Sequence, residues 1–516
     1  MTATRREWDV VVVGAGSAGC ALAGRLTEDP ARRVLVLEAG TAPVDADGWS
    51  ADVRSGASLA AADPQSPDCW AFTTELVPGR HVTTPRGRVL GGSSAINGAN
   101  HLRATRADVD GWPGWSYDGV LPYYVRGEDD RDVVAPFHGS SGPVPVRRPS
   151  GPLLAGVTER FLDAATALGV PVESDKNADG PPGAGPVPAN VRDGMRVNAA
   201  MAYLLPHRHR PNLTVRGQCP VASVEFDGDR AVGVRTLAGE RIDAGEVVLA
   251  AGSVKSPHLL ALSGIGPADE LRAAGIRVRH DRPGVGHGFS DHPALFVPFD
   301  DDDDEALHPD AVSAQAAVHL DSAMLGAGSD PAGDLEVLLF ARPFVPDGAR
   351  HVMCALQHPE SRGSMTLVSD DPREPPRLAH RYLASEADRT RLRAGVRFTA
   401  ELLAAGRLAR EVRDPDLTAA LRADDAALDA WIAATLTTSA HLCGSAALGP
   451  ASDPRAVVDP QLRVHGVEGL RVVDTSVVPV VPRRGPAATA LVLGECAADL
   501  LATGALNRTP ATKRSS

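Results

Sequence analysis

An α/β fold opening with a Rossmann-like nucleotide-binding unit is what this sequence of 516 residues predicts, on three observations. Asp9–Val13 (DVVVV) is a short, continuous apolar run rich in β-branched residues, as expected of a strand buried on both faces. It feeds GAGSAG, with Gly14, Gly16, Ser17 and Gly19, and then ALAGRLTED, which reads as a helix. A second β-branched run, RRVLVLE, ends on Glu38, nineteen residues beyond Gly19.

Each element has a physical reason. Gly14 makes the tight turn, Gly16 lets backbone approach a pyrophosphate, and Gly19 lets helix and strand pack closely. The helix N-terminus then meets phosphate, and Glu38 accepts hydrogen bonds from a ribose. An acid at this position selects a free 2′-hydroxyl, which favours FAD or NAD over NADP.

Composition narrows the partners. Hydrophobic residues make up 43% and charged residues 23%, an ordinary balance for a globular protein. The formal net charge of −13 argues against nucleic acid or an anionic membrane as partner. The longest apolar stretches fall short of the ~20 residues that cross a bilayer, so no transmembrane segment is expected. MTATRREWDVVVVG runs from a polar lead straight into the first strand, with no room for a secretory h-region. Cys20, Cys69, Cys219, Cys354, Cys443 and Cys496 show no C-x-x-C spacing and read as small buried residues of a reducing, cytoplasmic setting. His207 and His209, beside two arginines, read as solvated, and no metal is expected. The acidic run from Asp300 to Glu305 reads as a solvated surface loop, with a gate that attracts a cationic substrate as the functional alternative.

Two segments carry a family resemblance. Residues 87–98 read GRVLGGSSAING and residues 252–266 read GSVKSPHLLALSGIG; both resemble signature patterns of the glucose–methanol–choline (GMC) flavoprotein oxidoreductases. WPGWSYDGVLPYY (112–124), RPGVGHGFSDHP (282–293) and VVDPQLRVHGVEGLRVVDTSVVP (457–479) extend the resemblance over about residues 8–505. It implies a Rossmann-like FAD domain at 1–150, 186–298 and 440–505. A substrate domain built on an antiparallel sheet with helices would take 151–185 and 299–439, leaving a disordered tail at 506–516. Within the substrate domain, EVLLFARPF, HVMCALQ and GSMTLVS are strand-like, and 385–434 has helical spacing. The resemblance also implies that Gly91, Gly92, Ser93, Asn97 and Gly98 line the flavin and pyrophosphate, that Asp474 lies near the pyrophosphate and ribityl chain, and that Val221 meets the adenine through its backbone. Ile96 stands where tethered members have a histidine, which implies noncovalent FAD.

A lone histidine in TTSAHLCGSAALG is, on its own, more often a packed core residue. Set against the family, His441-Leu-Cys-Gly444-Ser is similar to the H-x-x-G-T/S segment whose histidine faces the flavin. That implies a neutral imidazole taking the hydroxyl proton as hydride leaves for flavin N5. The family's second polar side chain, His or Asn, has no counterpart: its position falls on Gly485 or Ala487. Arg483 and Arg484 read either as cations beside the flavin or a substrate anion, or as surface arginines. GPVPVRRP, PANVRDGMRVNAAMAYLLP, HRPNLTV, GSMTLVSDDP, HRYLASEADRTRLRAG, HLCGSAALG and RRGPAAT further resemble the mycofactocin-associated members. They imply re-oxidation of reduced mycofactocin, with a tailoring alcohol oxidase of secondary metabolism or an FAD-binding module without chemistry as alternatives. The substrate is expected to be a small alcohol or reduced mycofactocin, and the acceptor oxygen, a quinone or a protein.

Overall fold

A computed structural model describes residues 7–134, 136–300, 307–328, 330–344, 348–406, 408 and 410–503. Asp301–Glu305 of the acidic run and the tail at 506–516 lie outside these. Asp300 is described, and its carboxylate pairs with Arg413 at 3.2 Å.

Strand β1 (Trp8–Val13), helix α1 (Ser17–Leu26) and strand β2 (Val34–Leu37) form the expected βαβ unit, with Val10 paired to Val34 and Val13 to Leu37 in parallel register. β1 is flanked on its other side by Arg241–Leu249 and β2 by Leu213–Arg216, again parallel. The β-branched residues that suggested a doubly covered strand, Val10 to Val13, are all buried. Arg241–Leu249 is long enough to serve two neighbours. Its first residues pair antiparallel with Arg230–Thr236, while its last pair parallel with Leu470–Val472. Val221–Asp227 closes that edge, so segments far apart in the chain complete one seven-stranded sheet. Helix Gly252–Leu262 follows directly and ends before Gly264, which turns at φ +85°.

A second sheet of six strands is antiparallel throughout, in the order Thr437–Thr438, Pro293–Phe299, Arg350–Leu356, Leu335–Phe340, Ala314–Leu320, Ala184–Pro186. Side chains alternate across it with period two. Leu295, Val297, Phe299, Leu335, Val337 and Leu339 enter a core shared with Leu392, Val396 and Phe161 of the covering helices Glu386–Ala404 and Gly156–Ala167. The opposite face turns to the cavity described below. GSMTLVS contributes Gly363–Thr366 to a third, five-stranded sheet built with His287–Phe289, Arg377–Ala379, Cys69–Val77 and Arg80–Gly87, an arrangement the sequence reading did not anticipate. The six cysteines are buried and unpaired. Among the described residues no helix is long and apolar enough to cross a membrane.

Candidate active site

A cavity of about 780 Å³ collects most of the expected residues. Gly14, Gly16, Ser17, Glu38 and Val221 line it, together with Gly92, Ser93, Asn97, Gly98 and Asp474. Gly19 and Gly91 do not reach it. Gly19 presses α1 against the βα turn, and a β-carbon there would lie 2.1 Å from the Gly14 carbonyl oxygen. The Gly91 amide donates to the Ala15 carbonyl at 2.8 Å and ties the GGSSA turn to the βα turn. Gly92, at φ +54°, comes so close that its β-carbon would sit 2.6 Å from the Gly16 Cα. Two side-chain-free backbones thus meet at the N-terminus of α1, the cradle a pyrophosphate requires.

The two acids of this region are held by backbone donors. Glu38 accepts from the amides of Ala15 (3.0 Å) and Gly40 (2.8 Å), and burial pushes its pKa up to about 7. Asp474 accepts from the amides of Gly252 and Ser476, both at 2.9 Å, and from the Ser256 hydroxyl; burial also raises its pKa. A glycine cradle, a helix N-terminus and a carboxylate on the cavity wall fit a dinucleotide such as FAD.

His441 lines the same cavity and is fixed from several sides. Its backbone amide donates to Asp291 Oδ1 at 2.7 Å, and the His292 amide donates to that same oxygen at 2.7 Å. Asp291 Oδ2 takes the Thr438 hydroxyl at 2.7 Å, while Thr438 Oγ1 accepts the Ala440 amide at 2.9 Å. Ala440 sits at φ +59°, a strained conformation for a residue with a β-carbon, and the Arg86 guanidinium donates to its carbonyl.

The ring of His441 has one polar neighbour that the sequence reading missed. His441 Nδ1 lies 2.9 Å from His292 Nδ1, and His292 Nε2 lies 3.0 Å from the Pro482 carbonyl. A carbonyl only accepts, so His292 carries its proton on Nε2. Burial, then the neighbouring His441, push the His292 pKa down to about 3, so it is neutral and its Nδ1 is an acceptor. His441 must therefore donate from Nδ1, which leaves the lone pair on Nε2. Burial lowers the His441 pKa as well, against the pull of Asp291 and Glu336. The clue to His292 was present in GHGFSDHP, where two ionisable residues adjoin a proline strand start, but nothing local pointed to a histidine 149 residues away.

Of the two positions left for a second side chain, Gly485 is the one beside the ring. A β-carbon on it would lie 3.3 Å from His441 Cε1 and 3.5 Å from Nε2. Ala487 also lines the cavity, at the start of the terminal helix Ala487–Thr503. The two arginines depart from both expectations: they are neither on the surface nor on this cavity. Arg483 is 8% exposed and pairs with Asp108 at 2.6 Å and Asp330 at 2.7 Å. Arg484 is 3% exposed, lies 3.8 Å from Glu173 and lines a separate cavity. Their carboxylate partners come from distant segments, so nothing in RRGP announces them. Glu128, Asp130 and His138 bring ligand atoms within 4.8 Å of one another. Arg103 already pairs with Glu128, Arg148 with Asp130 at 2.9 Å, and His138 with Asp175 at 2.8 Å, so the three groups belong to an ion-pair network.

Comparison with known proteins gives the same fold. Two family models, both described as GMC oxidoreductase, match residues 8–294 and 359–494. A GMC-type oxidoreductase of Rhodococcus erythropolis, described by its place in the thcA 5′ region, is 40% identical over 96% of this chain and 98% of its own length. An oxygen-dependent choline dehydrogenase of Staphylococcus haemolyticus is 34% identical over 96% of this chain and 94% of its own. Among solved structures, pyridoxine 4-oxidase from "Mesorbium loti" superposes with a TM-score of 0.87 at 29% identity, covering 96% of this chain and 99% of that one.

Proposed function

Because the chain belongs to the GMC oxidoreductase family, whose members bind FAD, we propose that it oxidises an alcohol at the His441 cavity. The observation that carries this reading is the His441–His292 pair, which leaves an unprotonated Nε2 on a ring that lines the cavity. FAD, when bound, supplies the hydride acceptor. The protein's own part is the proton: His441 Nε2 takes it from the hydroxyl as the carbinol carbon gives up hydride. A positioned base of this kind contributes about 10²–10⁴-fold. Burial keeps the ring neutral near pH 7, so the base needs no prior deprotonation. Gly485 leaves the space beside the ring open to a substituent on the carbinol carbon. The relatives named for choline and pyridoxine oxidation support an alcohol donor.

Within that class, the motifs shared with mycofactocin-associated members extend the proposal to reduced mycofactocin as the alcohol. FAD is held noncovalently, because Ile96 on the cavity wall has no nucleophile to bond it. A cytoplasmic setting is part of the same reading, supported by six buried, unpaired cysteines. The test is anaerobic bleaching of the bound flavin by a panel of alcohols including reduced mycofactocin. Bleaching by a carbinol supports the proposal. Flavin that dithionite bleaches but no alcohol does would point to a binding module.

A further inference from the structure

Strand Leu335–Phe340 places alternate side chains on the cavity: Glu336, Leu338 and Phe340 line it, while Leu335, Val337 and Leu339 enter the core behind. Two of the three are apolar, as suits a wall that excludes water. Glu336 is not. It is 5% exposed, and burying a carboxylate on such a wall is costly unless something is bound to it.

Lys176 and Arg484 act on Glu336 through space without bonding it, so its direct donors are few. In register it faces His319 on one neighbouring strand and Ala355 on the other, with Ala294 beyond Ala355, so its row toward the His292 edge offers no cation. Its Oε2 accepts from His319 Nε2 at 2.9 Å, and its Oε1 from the Gln357 amide at 3.3 Å. His319 is a neutral donor: the Lys176 ammonium donates to its Nδ1 at 3.1 Å, which leaves the ring proton on Nε2, and burial lowers its pKa. Lys176 is itself taken up by Glu173 at 2.6 Å. Among the described residues no lysine or arginine pairs with Glu336. Each carboxylate oxygen accepts about two hydrogen bonds, and each here has one. Gln357, having turned its amide N–H to the carboxylate, keeps a buried side-chain oxygen with no partner. The pair therefore presents more acceptors than the protein fills.

We propose that Glu336 determines specificity in this cavity by receiving a second hydrogen-bond donor, a hydroxyl or an ammonium, carried on the alcohol away from its reacting carbon. The apolar body between the two groups lies against Phe296, Leu338, Phe340 and Phe344, which line the same cavity, the phenyl rings in contact at centroid separations of 4.9–5.8 Å. Counted across the sheet, Glu336 stands two strand spacings, about 10 Å, from the strand that begins beside His292, so the donor sits several bonds from the carbinol. This assignment rests on the reading of His441 as the base of an alcohol oxidation.

The experiment uses the FAD-loaded enzyme with 1,6-hexanediol, 6-aminohexan-1-ol and the methyl-ended 1-heptanol, read as kcat/KM for anaerobic flavin reduction. Wild type is expected to favour the donor-bearing alcohols by about tenfold or more, the worth of a hydrogen bond to a charged group. Glu336→Gln, whose amide oxygen still accepts but carries no charge, should cut that ratio to a few-fold or less. A wild type without preference, or a variant that keeps the wild-type ratio, overturns the proposal; which donor-bearing alcohol is favoured separates hydroxyl from ammonium. If Glu336→Gln does not fold, Glu336→Asp decides, since a shorter side chain should move the optimum to a longer chain; an unmoved optimum counts against the proposal. Binding of n-hexylamine, which has no carbinol, is measured separately by perturbation of the flavin absorbance. Should no alcohol bleach the flavin, the oxidation reading fails, while hexylamine binding weakened about tenfold by Glu336→Gln or Glu336→Asp would still support the Glu336 subsite, and unchanged binding would remove it.

Discussion

Replacing His292 by Phe removes the acceptor for His441 Nδ1–H and the donor to the Pro482 carbonyl at a fully buried position, with little change in ring volume. A neutral hydrogen bond is worth about 0.5–1.5 kcal/mol net, which biases the His441 tautomer by about 2- to 12-fold. Losing it should slow flavin reduction measurably, by at most about 12-fold, and the unpaired Pro482 carbonyl should cost about 1–3 kcal/mol of stability. A merely structural role would give the stability loss alone. The discriminating assay is anaerobic stopped-flow reduction as a function of pH. The neutral ring is the base, and burial holds its folded pKa below the ordinary ~6.5, so the wild-type rate constant should be flat above that pH and fall below it. His292→Asn restores an acceptor near the Nδ1 position and should recover most of the rate. If His292→Phe reduces its flavin as fast as wild type, with an unaltered pH profile, the tautomer argument is wrong.

Other consequences follow from the same geometry. Glu38→Ala should weaken FAD retention by about 1–3 kcal/mol, read by equilibrium dialysis, because a buried ribose hydroxyl loses its acceptor. Ribose hydroxyls donate to the ionised carboxylate, whose pKa of about 7 is raised by burial. FAD affinity should thus be greatest above that pH and decline as pH falls through it; a flat profile across this window would count against Glu38 as the ribose acceptor. Arg483→Met removes the cation shared by buried Asp108 and half-buried Asp330, which keep Thr105 and His358 as partners, and should cost about 1.5–3 kcal/mol in denaturant unfolding, with flavin reduction per folded molecule retained; a loss of activity without loss of stability would return Arg483 to the chemistry. Gly485→Asn sets an amide against His441 and should alter rate and substrate range without being needed for turnover. Bleaching by alcohols in this variant, but never in wild type, would mean that the native site lacks alcohol chemistry.

The nucleotide half was legible because its signals are local. Glycine spacing, β-branched runs and an acid at the end of the second strand each act within a few residues, and Gly14, Gly16 and Glu38 line the cavity. His441 was legible only through the resemblance, since its apolar neighbours say nothing by themselves. His292 was hidden because its role comes from a contact across 149 residues, and Glu336 because an acid in a strand reads as solvent-facing until the sheet is assembled. Arg483 illustrates the same limit: its partner Asp108 lies 375 residues away, so burial and pairing could not be read from RRGP. The five-stranded sheet escaped notice for that reason too, as it draws strands from three separate stretches of chain.

The central claim is that His441 takes the hydroxyl proton, and His441→Ala tests it most directly. The FAD-loaded variant should keep the wild-type flavin spectrum, because its backbone amide still donates to Asp291 and no cofactor cradle residue is touched. Its flavin should be reduced by the best alcohol about 10²-fold more slowly or worse in anaerobic stopped flow. A variant with intact FAD that reduces at the wild-type rate would contradict the account and make His441 a packed core residue.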